Sequence, residues 1–340
     1  MLAGLDIIGV GMVTAVGLDA PSACAAMRAK LDGFVETRFI GPRDGWLIGA
    51  PVPLPRNWVG ERRLAHMAAG AIGEAFEHHP SAREDAALIL CLPEEDRPGR
   101  LVRDAATLSA TISEILEMRP RHRTRLVAHG RPSGHVALDL ARRMLGAGEA
   151  AHVMIAGVDS YLGTLAIAHL LAARRLLTPD NPNGFIPGEA AAAILCAPEG
   201  TGTLALGGLG LAREAATIYN AEDQPLRGDG MTAAYRAALG ETGIEMNGVG
   251  YRVSDLVGEQ YWFKQAALAS LRLLRGRHDF QDLWIPAESL GNIGAAVGPL
   301  MIGMAWTAAR KRYAAGDPVL IEASSDSGAC GAAILRARAG

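Results

Sequence analysis

The feature that most constrains the fold is an internal repeat, in which two long segments share one pattern. PSGHVALDLARRMLGAGEAAHVMIAG can be aligned with IGAAVGPLMIGMAWTAARKRYAAGDPVLIEA. Each segment contains a glycine-bearing corner, a helix with basic residues near its end, a glycine–acid turn and an apolar strand. The turns at Gly148 and Gly316 lie about half of the 340-residue chain apart. This period is too long for a solenoid and predicts two similar halves related by a pseudo-two-fold axis.

Short apolar runs alternate with amphipathic helical segments along the whole chain. The runs LDIIGVG, AALILCL and PVLIEAS are typical of buried strands. This alternation indicates an α/β protein, and a chain that is 49% hydrophobic can bury a large core. We therefore predict an α/β fold with an N-terminal half over residues 1–200 and a C-terminal half over residues 201–340.

Composition excludes several classes of function. A net charge of −3 gives no field that would attract nucleic acid, and no stretch is apolar for long enough to predict a membrane span. The cysteines are far apart and without CxxC spacing: Cys24, Cys91, Cys196 and Cys330. Neither a metal site nor a disulfide framework is expected, and a cytoplasmic location is predicted.

The stretch VAHGRPSGHVALDLA predicts a corner where a buried strand breaks at Gly130 and a helix begins near Ser133 or Gly134. A corner of this kind commonly carries a nucleophile, because a helix N-terminus stabilises a thiolate or an oxyanion. Here the corner carries Arg131 instead. If the halves are related by two-fold symmetry, the loop LGNIGAAVG around Asn292 is expected to face this corner in one shared site.

Six segments occur in a recognisable order: IIGVGMVTAVG, VMIAGVDS, NGFIPGEAAAAILCAPE, NGVGYRVSDLVGEQ, GNIGAAVG and SSDSGACGAAIL. Together they resemble the β-ketoacyl-acyl-carrier-protein synthases of the thiolase-like superfamily. The third is the most specific, since it is similar to the family segment GFVxGEGAAVLVLE. The resemblance implies a five-layer α-β-α-β-α fold of two duplicated halves, usually dimeric. It also implies 3-oxoacyl-ACP synthase activity in fatty acid or polyketide biosynthesis, and no cofactor is expected.

The residues that carry the family's chemistry are replaced in this chain. By the resemblance, the acyl-accepting cysteine falls on Arg131, and the two catalytic histidines fall on Asn247 and Asn292. Asparagine at the last position is usual in the ketoacyl synthase III and chalcone synthase branches of the superfamily. Of the matched positions, the supporting acids Asp255 and Glu259 agree with the family pattern.

These replacements predict that the chain cannot condense thioesters by the family's mechanism. Arginine stays protonated and has no free lone pair, so Arg131 cannot act as a nucleophile. Asparagine cannot shuttle protons as a histidine does. We therefore expect a binding, partner or regulatory subunit, as in the family's chain-length factors. The expected partners are a second copy or a related synthase, with an acyl carrier protein or acyl-thioester as a further candidate.

The alternative is an acyl-thioester transferase or hydrolase of altered chemistry. It would use Ser133 or Cys330 as nucleophile, with asparagines as oxyanion donors. For Ser133 we favour a role as the cap of the helix that follows it, and a cysteine such as Cys330 is commonly a small core residue. Whether any activity remains is left open by the sequence.

Arg131 itself has two explanations. It either fills the former pocket and pairs with an internal acid, namely Glu189, Asp255 or Glu259, or it binds an anionic group of a ligand or carrier. The pocket is expected to be lined by Arg131, Ser133, Glu189, Asn247, Asp255, Glu259, Asn292 and Cys330.

Overall fold

A computed structural model describes residues 4–77, 79–119, 121–220, 222–276 and 281–338. Its strands are β1 (Leu5–Val13), β2 (Val35–Ile40), β3 (Trp46–Gly49), β4 (Ala87–Cys91), β5 (Arg125–Val127), β6 (Val153–Ser160), β7 (Glu189–Pro198), β8 (Leu204–Arg213), β9 (Tyr251–Ser254), β10 (Asp282–Trp284), β11 (Val319–Ser324) and β12 (Ala329–Ala337). Its α-helices are α1 (Ala20–Arg28), α2 (Gly60–Phe76), α3 (Ala105–Ile115), α4 (Ser133–Gly146), α5 (Thr164–Ala172), α6 (Asp229–Thr242), α7 (Gln260–Leu273), α8 (Ala287–Leu290) and α9 (Val297–Arg310). Short 3-10 turns cover Pro42–Asp44, Pro80–Glu84, Met246–Gly248 and Gly294–Ala296.

The strands show the duplication directly. Within the described residues one sheet has the order β10-β9-β11-β12-β8-β1-β7-β6-β4-β5, and β2 and β3 form a separate hairpin. β1 and β8 meet through only two residue pairs, at the centre of the sheet. On one side, β1-β7-β6-β4-β5 has the same order and strand directions as β8-β12-β11-β9-β10 on the other. The predicted duplication of the fold is confirmed, whereas a domain division at residues 200 and 201 stays a prediction.

The helices form three layers around the two halves of the sheet. α4 and α9 lie between the halves, and α4 contacts strands of both, including β6 and β12. α2 packs on the outer face of β1 and β7, and α6 packs on the outer face of β8 and β12. This is the predicted thiolase-like α-β-α-β-α arrangement. Among the described helices, none has the length and apolar character needed to cross a bilayer.

Each outer helix rests on a glycine of its strand. A methyl group on Gly11 of β1 would lie 2.0 Å from the carbonyl oxygen of Ala71 in α2. A methyl group on Gly210 of β8 would lie 1.9 Å from the carbonyl oxygen of Ala234 in α6. Both distances are far below van der Waals contact, so both helices approach their strands as closely as the absence of a side chain permits.

The two central helices begin against each other. A methyl group on Gly134, in the first turn of α4, would lie 3.0 Å from the Cα atom of Gly298, in the first turn of α9, and the reverse distance is the same. The units α4–β6 and α9–β11 are the two segments that the sequence repeat aligns. Their contact marks the pseudo-two-fold axis and brings together the two loops that precede the helices.

Candidate functional site

The candidate site begins at the corner between β5 and α4. Gly130 has a φ of +62°, a left-handed conformation that suits glycine, and turns the chain out of the strand. Arg131 follows, and α4 begins at Ser133 without any side-chain cap. The Ser133 hydroxyl instead accepts a hydrogen bond of 3.0 Å from the backbone N–H of His129. The prediction that Ser133 caps α4 is therefore wrong, because its hydroxyl is bound to the preceding loop.

Arg131 turns inward and fills the corner. It is 3% exposed, and its guanidinium carbon lies 3.9 Å from the centroid of the Trp262 ring. Its Nη1 atom lies 3.4 Å from Oδ2 of Asp255 and donates a hydrogen bond of 3.3 Å to the backbone carbonyl of Asp255. The guanidinium therefore has an aromatic face and a counter-charge beside it, and its Nη2 atom makes no hydrogen bond within the described residues.

The electrostatics of this pair follow from its burial. Burial raises the pKa of Asp255 to about 6, although Arg131 opposes the shift. Burial alone would lower the pKa of Arg131, but the charges of Asp255 and Asp326 outweigh this effect and raise it. At neutral pH the two residues therefore form an ion pair.

A second buried arginine, Arg175, lies beside the first. It makes a bidentate ion pair with Glu259, in which Nη2 and Oε2 are 2.8 Å apart, and its Nη1 donates to Asp326 at 2.9 Å. Asp326 also lies 4.0 Å from Nη2 of Arg131. Of the three acids named as candidate partners of Arg131, Glu259 is therefore not the partner, because both of its carboxylate oxygens are taken by Arg175.

Glu189 lies apart from this cluster. Its Oε1 atom accepts hydrogen bonds from Nε of Arg63 at 2.9 Å and from the backbone N–H of Val52 at 3.0 Å. Its Oε2 atom accepts from the Ser160 hydroxyl at 2.9 Å. Glu189 therefore joins the start of β7 to α2 and to the loop after β3. Of the three candidate acids, Asp255 is the one that pairs with Arg131.

The loop over residues 291–298 closes the corner from the other half. A methyl group on Gly298 would lie 3.6 Å from the backbone carbonyl oxygen of Arg131. Asn292 in this loop is buried, and its side-chain oxygen accepts a hydrogen bond of 3.1 Å from the N–H of Gly294. The structure thus brings together the two loops that the sequence predicts to share a site.

An ion pair from β6 holds the same loop. Asp159 and Arg97 form two hydrogen bonds of 2.6 and 2.7 Å, and Asp159 also accepts from the N–H of Ala295 at 3.0 Å. The guanidinium of Arg97 lies 4.2 Å from the centroid of the Tyr161 ring. A loop whose backbone is held by a buried bidentate pair is positioned rigidly.

Asn247 does not line the corner. It lies in a 3-10 turn before β9, and its amide group exchanges hydrogen bonds of 2.7 and 2.9 Å with the backbone of Arg275. Asp255 directly follows the other end of β9, and the four residues of this strand span about 13 Å. The expectation that Asn247 belongs to the site is wrong, because a whole strand separates it from the corner. Asp255 is the side chain that meets Arg131 there.

Neither substitute nucleophile is activated. The Ser133 hydroxyl has backbone partners only, the N–H of His129 and the carbonyl of Leu92 at 3.4 Å. His135 is buried, and burial lowers its pKa to about 4, so its ring is neutral. Burial raises the pKa of the Cys330 thiol to about 12, which leaves almost no thiolate at neutral pH.

Several residues around the corner were not predicted from the sequence: Arg97, Asp159, Arg175, Trp262 and Asp326. One local signal was available, since Glu259 and Trp262 are three residues apart at the start of a helix and so lie on one face. The Trp262 Nε1 atom does donate to Glu259, at 2.9 Å. In the part of the chain that the structure describes, no group of three or more His, Cys, Asp or Glu residues could hold a metal ion.

Comparisons with known proteins agree with this architecture. Residues 100–200 match the family model for the β-ketoacyl synthase N-terminal domain. No curated protein sequence matches the chain significantly. Solved structures match it over nearly its full length, although at low sequence identity.

Three of these structures illustrate the match. The ishigamide ketosynthase/chain length factor is 17% identical, with a TM-score of 0.79 and coverage of 100% of both chains. The ketosynthase ApeO in complex with its chain length factor ApeC, from Xenorhabdus doucetiae, is 14% identical, with a TM-score of 0.79 and coverage of 99% of this chain and 98% of that chain. The ketosynthase from module 6 of the bacillaene synthase of Bacillus subtilis 168 is 12% identical, with a TM-score of 0.77 and coverage of 99% and 72%. The whole chain therefore has the mixed α/β ketosynthase fold, and its residues 100–200 carry the signature of the β-ketoacyl synthase N-terminal domain.

Proposed function

We propose that this protein is a ketosynthase homologue that does not condense thioesters and acts as the non-catalytic partner of a related synthase. The observation that carries the proposal is Arg131. By the resemblance, this residue stands where the family has its cysteine, and its own side chain occupies the corner, stacked on Trp262 and paired with Asp255. A thioester would have to displace a buried ion pair to reach the corner, and Arg131 offers it no nucleophile there.

Asp255 supports the same conclusion. By its place directly after β9 and opposite Arg131, we assign Asp255, rather than Asn247, to the position of the family's first histidine. An aspartate paired with a permanent cation is deprotonated at neutral pH and cannot donate a proton to a substrate. Its negative charge instead balances the positive charge of the arginine. In the proposed site, the family's cysteine and first histidine are therefore replaced by Arg131 and Asp255, which pair with each other.

The relatives by fold favour a role in a complex. Two of the matched structures contain a chain length factor, as their descriptions state. A third is described as a type II polyketide synthase acyl-carrier protein in complex with its ketosynthase. By analogy, we propose that this chain forms a heterodimer with a related synthase and that an acyl carrier protein binds to that complex.

One edge of the sheet is suited to such a partner. β5 is the last strand on its side, so one row of its N–H and C=O groups has no strand partner among the described residues. Leu126 at its centre is 48% exposed, and the adjoining groove along α3 is lined by small side chains of that helix and by His122 and Arg123 from the loop before β5. A second ketosynthase-like chain that adds its own edge strand would pair these groups and cover the leucine.

Co-expression with a related active ketosynthase from the same organism tests the proposal. Native mass spectrometry should detect a one-to-one complex. Intact-mass analysis after incubation with acyl- and malonyl-thioesters should detect an acyl adduct on the synthase and none on this chain. The synthase is the positive control for acylation. A stable acyl adduct on this chain, or release of a condensed product by this chain alone, would overturn the proposal.

The alternative, an enzyme that uses Ser133 or Cys330, has no observation in its favour. Ser133 has backbone partners only, and the thiol of Cys330 is protonated at neutral pH. The adduct measurement described above also tests this alternative, because either nucleophile would gain the mass of the acyl group.

A further inference from the structure

A separate cavity lies between the end of α1, the loop before α8 and the middle of α9. Its volume is about 160 Å³, and none of its residues belongs to the Arg131 corner. Its lining includes Met27, Arg28, Lys30, Trp284, Met304 and Tyr313. We refer to it as the α1–α9 cavity. The proposed partner function makes no use of it.

Apolar and aromatic side chains form one part of the lining of the α1–α9 cavity. The Trp284 and Tyr313 rings are stacked, with centroids 6.3 Å apart and an angle of 27° between their planes. Met27 and Met304 are both buried and contribute flexible thioethers, which pack well against aromatic rings. An apolar cavity of about 150 Å³ is large enough for benzene, so this one has room for a single aromatic ring.

The mouth of the α1–α9 cavity carries an excess of positive charge. Lys30 is neutralised by Glu288, at 2.6 Å. Arg28 lies 4.5 Å from the centroid of the Tyr313 ring, and among the described residues no carboxylate lies within 4.0 Å of it. Of the two cations that line the mouth, Arg28 is therefore the one without a carboxylate partner among the described residues.

We propose that the α1–α9 cavity binds a small aromatic carboxylate. The ring lies between the stacked aromatic pair and the two methionines, and the carboxylate pairs with Arg28. Aromatic rings prefer the faces and edges of other rings, and an exposed guanidinium without an acid partner is free to form a charge-assisted pair. The ligand class follows from the size of the cavity, its aromatic lining and the charge at its mouth.

Methionine-methyl NMR tests the proposal on the intact protein, with benzoate as the probe. Among the 11 methionines, the methyl signals of Met27 and Met304 should shift saturably as benzoate is added, because an aromatic ring changes the field at adjacent methyl groups. Met27→Leu and Met304→Leu variants assign the two signals. Saturable shifts that omit both residues, or no saturable shift at all, would overturn the proposal.

A matched set of probes and variants measures separately how much the carboxylate and the aromatic ring of the ligand contribute to binding. Arg28→Gln should weaken benzoate binding about tenfold, the effect of losing one charge-assisted hydrogen bond, and leave the binding of benzyl alcohol unchanged. Arg38→Gln is the control, since Arg38 also lies over a ring, that of Phe39 at 5.5 Å, and outside the cavity. Equal losses in both variants would contradict the role of Arg28. Binding of hexanoate as tightly as benzoate would contradict the preference for a ring.

Discussion

At the scale of single residues, Arg131 and Asp255 depend on each other. Each is buried, and each is the nearest charged partner of the other, since Nη1 of Arg131 lies 3.4 Å from Oδ2 of Asp255 and Asp326 lies 4.0 Å from Nη2. A buried ion pair is weak evidence for stability, because desolvation offsets the attraction, but the loss of one partner is costly. The pair therefore determines how the corner is filled, and its contribution is best measured by removing one member at a time.

Arg131→Met should lower the free energy of unfolding by about 3 kcal/mol or more, because it leaves the Asp255 carboxylate buried without a counter-charge. Adding Asp255→Leu to this variant should restore much of the loss, since the two apolar side chains can pack together. Urea unfolding of the single and double variants at pH 7.5 measures both effects. Additive losses would show that the two residues are not coupled.

The same pair predicts a pH dependence. The pKa of Asp255 in the folded protein is about 6, above the unfolded value of about 3.9, so the folded state binds the extra proton between these values. The contribution of this group to stability is therefore greatest below about pH 4 and falls as the pH rises through 6. In Arg131→Met the carboxyl loses its cation and its pKa rises further, so the loss of stability should be larger at pH 7.5 than at pH 5. A loss that is the same at both values would contradict this account.

Thiol chemistry provides a second test at this scale. Burial raises the pKa of all four cysteine thiols, to about 11 for Cys24 and about 12 for Cys330. The native protein should therefore react with iodoacetamide at pH 7.5 far more slowly than the unfolded protein, because the thiolate is the reactive form. Intact-mass analysis over time measures the reaction. Rapid single alkylation at Cys330 would revive a catalytic role for that residue.

At the scale of elements, the duplication extends to single contacts between strand and helix. β1 and β8 each have a glycine directly under a helix carbonyl, at Gly11 and Gly210. The outer helices α2 and α6 therefore contact their strands at these two equivalent glycines. An alanine in either strand would push its helix away from the sheet, and the neighbour is backbone, which cannot rotate aside.

Gly11→Ala and Gly210→Ala should each destabilise the protein by about 1–3 kcal/mol, the usual effect of overpacking a close contact. Gly240→Ala is the matched control, because nothing lies within 4 Å of the added methyl group in α6. It should be neutral or stabilise the protein by about 0.5–1 kcal/mol, since alanine favours the helix. Chemical denaturation of the three variants distinguishes them. Equal effects of Gly11→Ala and Gly240→Ala would contradict the close approach.

The repeated features of the molecule could be predicted from its sequence, whereas contacts between residues that are distant in the sequence could not. The duplication and the corner at Gly130 follow from periodicity and from the position of a glycine. Asn247 was assigned to the site by the motif alone, and the sequence does not show that the whole of β9 lies between Asn247 and Asp255. The ion pair of Arg175 with Glu259 joins residues 84 positions apart, and no local pattern encodes such a contact.

At the scale of the whole molecule, the sheet has two edges that are related by the pseudo-two-fold axis and differ in the exposure of their side chains. The edge at β10 and the edge at β5 hold equivalent places in the two halves. Leu126 in β5 and Leu283 in β10 are both partly exposed, but Leu126 is more exposed and adjoins the groove along α3. A single partner chain that adds to the β5 edge would extend the sheet of the N-terminal half and leave the second half free.

Leu126→Asp should weaken the proposed complex with a related synthase by about thirtyfold, as expected when a central interface side chain worth about 2 kcal/mol is replaced by a charge. Leu271→Asp is the control, because this residue on α7 is even more exposed, at 69%, and lies far along the chain in the other half. Sedimentation or native mass spectrometry of each variant with the synthase gives the affinities, and the thermal transition of each variant alone checks its folding. If both variants bind as the wild type does, the partner uses another surface. If Leu126→Asp alone loses the complex while it remains folded, the edge strand is the binding surface. Burying an aspartate against an apolar partner would remove its hydration water, at a large cost in free energy.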